Sequence, residues 1–326
     1  MKNHYLNSGM GITGTKLITK KSNGNRKTVE ITTTGSMNAY KIPAVIVFCE
    51  DALAKEIIIH SLQAINNTAH CSFKFIICGS WRNIITSLAG SLLYSDELKE
   101  SGNTKVLSTV GVIDGDISQE KISAVIAECF EGNAVPEKLN SISKRISEYL
   151  TSFKIPDRIL DMKISGKPEF NFKAMLEEID EQDIDDILKP RMDMLTTARK
   201  KNSKDNVEAA LDLDFFLLKK EKEETLKIIQ YSRGFGKIKF KTFSNGRAII
   251  NYHKYFSLLE RSMGDEHYHC YPGSRFIMLT LFRLIGKFNN TRWVEYVSPV
   301  TKFLMPVAEQ QRERFSHNTY NNEIID

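Results

Sequence analysis

From residue 42 to about residue 140 the chain alternates short β-branched apolar runs with stretches of helical spacing, and this alternation limits what it can fold into. Pro43 to Cys49 is an apolar run, and Asp51 to Leu62 follows it with apolar residues three and four apart. Phe73 to Ile77 and Lys105 to Ile113 read as further strands. Helices are expected over Ile84 to Leu98 and Glu120 to Phe130, with a short extended piece at Ala134-Val135-Pro136. Strands separated by helices cannot be joined by tight turns, so the pattern predicts parallel pairing with helices packed on the faces. The expected fold class is α/β.

Acidic residues stand where these strands stop. Glu50 ends the first run, and Asp114-Gly115-Asp116 ends the third. In an open parallel sheet, ligands collect in the crevice beyond the carboxyl ends of the strands. If the two strands are neighbours, three carboxylates converge there, and like charges so close raise one another's pKa unless a cation neutralises them. Mg²⁺ is commonly held by one or two carboxylates plus water and substrate phosphate. Such a site suits phosphodiester hydrolysis, in which the metal polarises the phosphoryl oxygen and activates a water. Gly79-Ser80-Trp81-Arg82 follows the second strand as a tight turn, and Arg82 is placed to contact a phosphate or to pair with the acids.

The segments Val47-Phe48-Cys49-Glu50-Asp51, Cys78-Gly79-Ser80-Trp81-Arg82-Asn83 and Gly111-Val112-Ile113-Asp114-Gly115-Asp116 together resemble the TOPRIM domain of topoisomerases, primases and OLD-family (overcoming lysogenization defect) nucleases. The wording is closest to the OLD-like nucleases, in which a later Pro-Glu also recurs; Pro136-Glu137 would supply it. The resemblance covers roughly residues 42 to 140. It implies a Rossmann-like parallel sheet, Glu50 as acid/base or metal ligand, and Asp114 and Asp116 holding Mg²⁺ or Mn²⁺, with Glu137 completing the shell. Many relatives carry a carboxylate four residues after the first glutamate, where this chain has Ala54, and no lysine here matches the family's. The resemblance further implies a metal-dependent endonuclease in bacterial anti-phage defence, acting on DNA before RNA or tRNA beside a separately encoded ABC/AAA-type ATPase. The alternative is a non-catalytic TOPRIM module that docks on an ATPase or on nucleic acid.

Residues 1–41 are polar, and Asn23-Gly24 between alternating runs predicts a hairpin or loose arm. Gly9 to Lys16 echoes a phosphate loop, but its Gly-Thr-Lys order and lack of a preceding strand argue against one. The catalytic domain is expected over 42–145 and a mainly helical region over 146–326, with helices at Leu139 to Phe153, Phe172 to Leu188, Asp205 to Tyr231 and Phe276 to Phe288. Lys237-Ile238-Lys239-Phe240-Lys241-Thr242-Phe243 alternates basic and apolar residues. It reads either as a basic strand, with Lys237 and Lys239 touching substrate phosphates, or as an edge strand guarded by lysines. Asp265 to Cys270 gathers His267, His269 and Cys270, but without the second spaced pair that a structural zinc site needs.

A composition of 41% hydrophobic and 26% charged residues suits a soluble globular chain, and a net charge of +5 permits a nucleic-acid partner. The five cysteines form no Cys-x-x-Cys pair, as reduced cytosolic thiols do, and no apolar run reaches eighteen residues. The expectation is a cytoplasmic protein without a membrane span or leader, free to form a homo-oligomer.

Overall fold

The computed structural model describes residues 15–19, 29–33, 42–102, 106–115, 117–129, 136–154, 167–201, 205–267 and 274–316. Contacts divide the chain into two units, Met1–Pro43 and Ala44–Asp326. In the first, β1 (Thr15–Thr19) pairs antiparallel with β2 (Val29–Thr33), Thr15 opposite Thr33.

The second unit is built on four parallel strands in the order β4-β3-β5-β6. These are β3 (Val45–Cys49), β4 (Phe73–Ile77), β5 (Thr109–Ile113) and β6 (Leu150–Ser152). β3 is buried along nearly its whole length, as a central parallel strand must be, because helices cover both of its faces. β4 lies at one edge and is exposed over its second half. The chain leaves β3 in one direction to form β4 and returns on the other side to form β5. The strand order therefore reverses between β3 and β5, and their carboxyl ends border a crevice.

The two faces carry different layers. Val45, Val47, Cys49, Val110 and Val112 face α1 (Ala52–Ile65) and the C-terminal helices. Phe48 and Ile113 face α2 (Trp81–Glu100), α3 (Gln119–Cys129) and α4 (Pro136–Glu148). Gly111 sets the distance of this second layer: a Cβ there would fall 2.7 Å from Ile84 Cγ2, 2.7 Å from Leu88 Cδ1 and 2.8 Å from Leu150 Cδ1. α2 thus rests directly on the β5 backbone.

The C-terminal helices are α5 (Pro168–Glu177), α6 (Glu181–Lys201), α7 (Asp205–Arg233), α8 (Lys254–His267), α9 (Ser274–Phe288) and α10 (Asn290–Ser316). Phe172 of α5 is fully buried, with ring centroids 4.9 Å from Phe282, 5.9 Å from Trp293 and 6.0 Å from Tyr296. α10 runs back along the sheet. Lys154 N donates to Tyr296 O at 3.1 Å at the carboxyl edge, and Ser108 N donates to Gln311 Oε1 at 2.6 Å at the other end. Among the described residues no helix is long and apolar enough to cross a membrane.

Several elements depart from the sequence reading. The helix expected over Leu139 to Phe153 ends at Glu148, and Leu150–Ser152 joins β5 as the fourth strand, so the sheet runs past residue 145. Pro136 opens α4 rather than extending the chain, consistent with its fixed φ at a first helical position. The stretch Phe172 to Leu188 is two helices. Asp180 N donates to Asp183 Oδ2 at 3.0 Å and Asp183 N to Asp180 Oδ1 at 2.9 Å, a reciprocal cap that starts α6 inside an acidic run. Pro190 lies within α6. Lys237–Phe240 is a 3₁₀ turn rather than strand, because Phe240 is buried against Tyr252 and Tyr255. The hairpin is β7 (Lys241–Ser244) and β8 (Arg247–Ile250), turned at Asn245 and Gly246 with φ of 51° and 75°.

Gly111→Ala is expected to lower the unfolding free energy by roughly 1–3 kcal/mol through overpacking beneath α2. Gly90→Ala, with nothing within 4 Å of the added methyl, is expected to raise it by about 0.5–1 kcal/mol. Urea unfolding of the two variants checks both signs.

Candidate active site at the carboxyl edge of the sheet

Where β3 ends, Glu50 and Asp51 lead into α1. Asp51 is extended, with φ −144° and ψ −175°, and its Oδ1 accepts from Ala54 N at 2.8 Å as the helix cap. Gly79 N donates to Glu50 O at 2.8 Å, fastening the turn after β4 to the glutamate backbone. That turn needs its glycine, since Gly79 has φ +80°. Ser80 Oγ accepts from Asn83 N at 3.3 Å, and Asn83 Nδ2 donates back to Cys78 O at 2.8 Å. The Gly-Ser-Trp-Arg-Asn motif is accordingly a helix start.

Strand periodicity decides which acids share a side. Val45, Val47 and Cys49 face the C-terminal helices, so Asp51, two residues on in extended backbone, follows them, whereas Glu50 follows Phe48 toward the other face. On β5, Val110 and Val112 share that first face, and Asp114 continues it. The register pairs Cys49 with Val112 and, continued by two residues, sets Asp51 beside Asp114. Asp114 is 5% exposed, an uncommon burial for a carboxylate, and Lys167 Nζ lies 3.5 Å from its Oδ2.

Lys167 stands just before α5, Pro168 is its first residue, and Glu169 lies in its first turn. Proline fits there because its fixed φ suits helix entry, and an acid there meets the positive end of the helix dipole. Glu169 is 3% exposed; its Oε1 lies 2.5 Å from His253 Nδ1, and its Oε2 is buried with no hydrogen-bond partner among the described residues. This hydrogen bond, opposed by partial burial and assisted by the carboxylate charge, raises the His253 pKa above its ordinary value. Tyr296 of α10 lies within electrostatic reach of these acids. Its hydroxyl is held well above the usual phenol pKa, first by burial and then by the charges of Asp114, Glu169 and Asp51.

Of the residues expected from sequence, the structure brings the β3 end and Asp114 to one edge. Glu50 has its Oε2 buried there. Asp116 and the Glu137 side chain lie outside the described residues, the latter on the second residue of α4. Arg82 is ion-paired with Glu128 of α3 and lies over the Trp81 ring, 5.8 Å from its centroid, rather than against the acids. Lys239 Nζ sits 4.9 Å from the Phe235 ring centroid, and the Lys237 side chain lies outside the described residues. The 3₁₀ turn removes the flat face on which the two lysines were expected to align. Of the Asp265 to Cys270 cluster, only the backbone to His267 is described.

Asp51, Lys167, Glu169, His253 and Tyr296 were not anticipated. One signal was available: the chain contains a second Pro-Glu, Pro168-Glu169, preceded by a lysine and opening an apolar-spaced helix. Nothing local marks His253 or Tyr296. Cys49 borders the site as an inert thiol, pushed up to about 12 chiefly by burial.

The donors at this edge are carboxylate oxygens, the chemistry of a hard divalent cation. No three His, Cys, Asp or Glu side chains among the described residues are grouped to hold a metal. Mg²⁺ tolerates this, since it retains water and takes one or two carboxylates with substrate phosphate. The buried Glu169 Oε2 and the enclosed Asp114 are the donors that fit. In three comparisons the chain matches no protein family, no curated protein and no solved structure.

The raised His253 pKa fixes the sign of a pH effect. In metal-free buffer the pair with Glu169 stabilises the fold fully below the unfolded imidazole pKa of about 6.5, and this is lost as pH rises through the higher folded value. The urea midpoint of the wild type is expected to fall more steeply over that interval than that of His253→Gln. Equal slopes would show that the pair is not linked to folding.

Proposed function

We propose that the chain is a divalent-metal-dependent nuclease that hydrolyses phosphodiester bonds, with DNA the preferred substrate and RNA, including tRNA, the other class to test. The observation that carries this reading is the buried Asp114 at the carboxyl end of β5, beside the end of β3, with Lys167 at 3.5 Å and Glu169 on the facing helix. In this reading Asp114 and Asp116 hold Mg²⁺ or Mn²⁺ and Glu169 takes the later acidic role for which Glu137 was the sequence candidate, while Glu50, which leaves β3 toward the other face, keeps the acid/base role that the resemblance implies. When bound, the metal supplies phosphoryl polarisation and an activated water.

The chain's own residues do the rest. Lys167 Nζ reaches the mouth of the site as a point charge for a non-bridging phosphate oxygen. His253 fixes one oxygen of Glu169, and Oε2, buried without a hydrogen-bond partner among the described residues, is left to accept a proton or a cation. The Tyr296 hydroxyl is buried without a hydrogen-bond partner among the described residues, and burial together with the acids' charge keeps it a neutral phenol that can donate to substrate oxygen. The resemblance to OLD-like nucleases extends the proposal to an anti-phage effector working with a separate ABC/AAA-type ATPase.

One feature favours the second reading, a non-catalytic docking module: Lys167 and His253 already counter the charge of Asp114 and Glu169 without any metal. Cleavage of plasmid DNA and of bulk tRNA with Mg²⁺, Mn²⁺ or EDTA separates the two. Metal-dependent cutting is expected, reduced roughly 10²-fold or more in Glu50→Ala, Asp114→Ala, Glu169→Gln and Lys167→Met. Arg82→Ala, whose guanidinium is engaged by Glu128, is expected to cut at close to the wild-type rate. Full activity in a folded Asp114→Ala protein would sink the nuclease assignment. Absence of cutting, alone and with a cognate ATPase, together with stable binding to that ATPase or to nucleic acid, would establish the docking module.

A further inference from the structure

The helices α6 and α7 form an antiparallel hairpin whose two flanks differ. On one flank the charges satisfy one another: Lys222 Nζ lies 2.9 Å from Glu181 and 2.6 Å from Asp185, and Arg199 lies 3.1 Å from Asp212. Ile184, Leu188 and Leu218 are buried between the helices and the body. At about 100° per residue, Ile187 and Met194 of α6 and Leu213 and Leu217 of α7 fall on the flank opposite the ion pairs. They are 40%, 71%, 56% and 50% exposed, and Phe216 beside them is 60% exposed. Single exposed apolar residues need no explanation, but a contiguous row along two paired helices does.

We propose that this flank is a self-association surface on which a second copy of the chain docks about a two-fold axis, two hairpins making a four-helix bundle. The charges at its two ends select this occupant. The flank carries Asp183 toward the base of the hairpin and Lys201 at its tip, while Glu224 near the base is already paired with Lys220, 3.7 Å away. A two-fold axis through the apolar row sets the base of each hairpin against the tip of the other, so opposite charges meet at both ends and apolar residues meet at the centre. The arrangement is self-complementary as isologous interfaces must be.

The area is sufficient. The 21-residue α6 is about 31 Å long at 1.5 Å per residue. Two helices about 10 Å apart offer a flank of roughly 600 Å² on each copy, or about 1,200 Å² in total, the lower end of stable interfaces. Dimerisation in this manner needs neither the metal nor the substrate and stands apart from the nuclease reading.

Sedimentation equilibrium of the full chain across a concentration series tests it. The wild type is expected to dimerise, with Leu213→Glu and Leu217→Glu each weakening the dimer roughly 30-fold or more as central apolar contacts. Because both side chains are exposed in the single chain, circular dichroism and the melting temperature of a dilute sample should not change. Lys201→Glu should weaken the dimer by facing Asp183 of the other copy, and adding Asp183→Asn, whose amide oxygen can still accept from Asp180 N, should recover part of it, a recovery that general loss of folding cannot imitate. A wild type that stays monomeric to about 0.1 mM overturns the proposal. So does a dimer indifferent to these substitutions, which would assign the flank to another protein.

Discussion

The parallel pairing of β3 with β5, Val47 opposite Val110 and Cys49 opposite Val112, is the contact on which everything else rests. Both strands are buried on both faces, so a one-residue slip of β5 would bring a valine to the place beneath α2 where only Gly111 fits. The register that protects the core also determines what stands at the strand ends. Cys49 and Val112 share a face, and the residues that continue that face beyond the last hydrogen bond are Asp51 and Asp114. Carboxylates in such a position have lost much of their water, and the structure answers with charge brought from elsewhere.

That charge arrives from distant parts of the chain. Lys167 and Glu169 come on the first turn of α5, His253 on the segment before α8, and Tyr296 on α10. None of these is held by local sequence. They are placed because Phe172, one turn after Glu169, is locked among Phe282, Trp293 and Tyr296, and because α10 is fastened to the sheet at both ends. The aromatic cluster is therefore what positions the polar group at the carboxyl edge. Positive charge balancing buried acids serves stability in the resting chain.

The opposite regime holds on the α6–α7 hairpin. There the helices protrude from the core, one flank is closed by ion pairs, and the other leaves large apolar side chains in water. Asp180 and Asp183 start α6 with their own side chains, so the acidic run there is in part a helix signal and in part, at Asp183, the charged end of an apolar row.

What the amino-acid order determined by itself was the local periodicity. Runs such as Val45 to Cys49 and Thr109 to Ile113 could only be buried strands, the intervening stretches could only be helices, and Glu50, Asp51 and Asp114 had to fall at strand ends. The α/β class and the edge on which a site would lie follow from that. The sequence could not say that Leu150–Ser152 leaves a helix to become the fourth strand, because three residues of mixed character are set by the vacancy beside β5 rather than by their own preference. Nor could it say that Lys237–Phe240 coils so that Phe240 can be buried. Above all, it could not say that the lysine before Pro168-Glu169 reaches Asp114. Only the packing of α5 against the aromatic cluster brings Lys167 there, since contacts between residues 50 to 180 positions apart depend on the whole core and not on any local pattern.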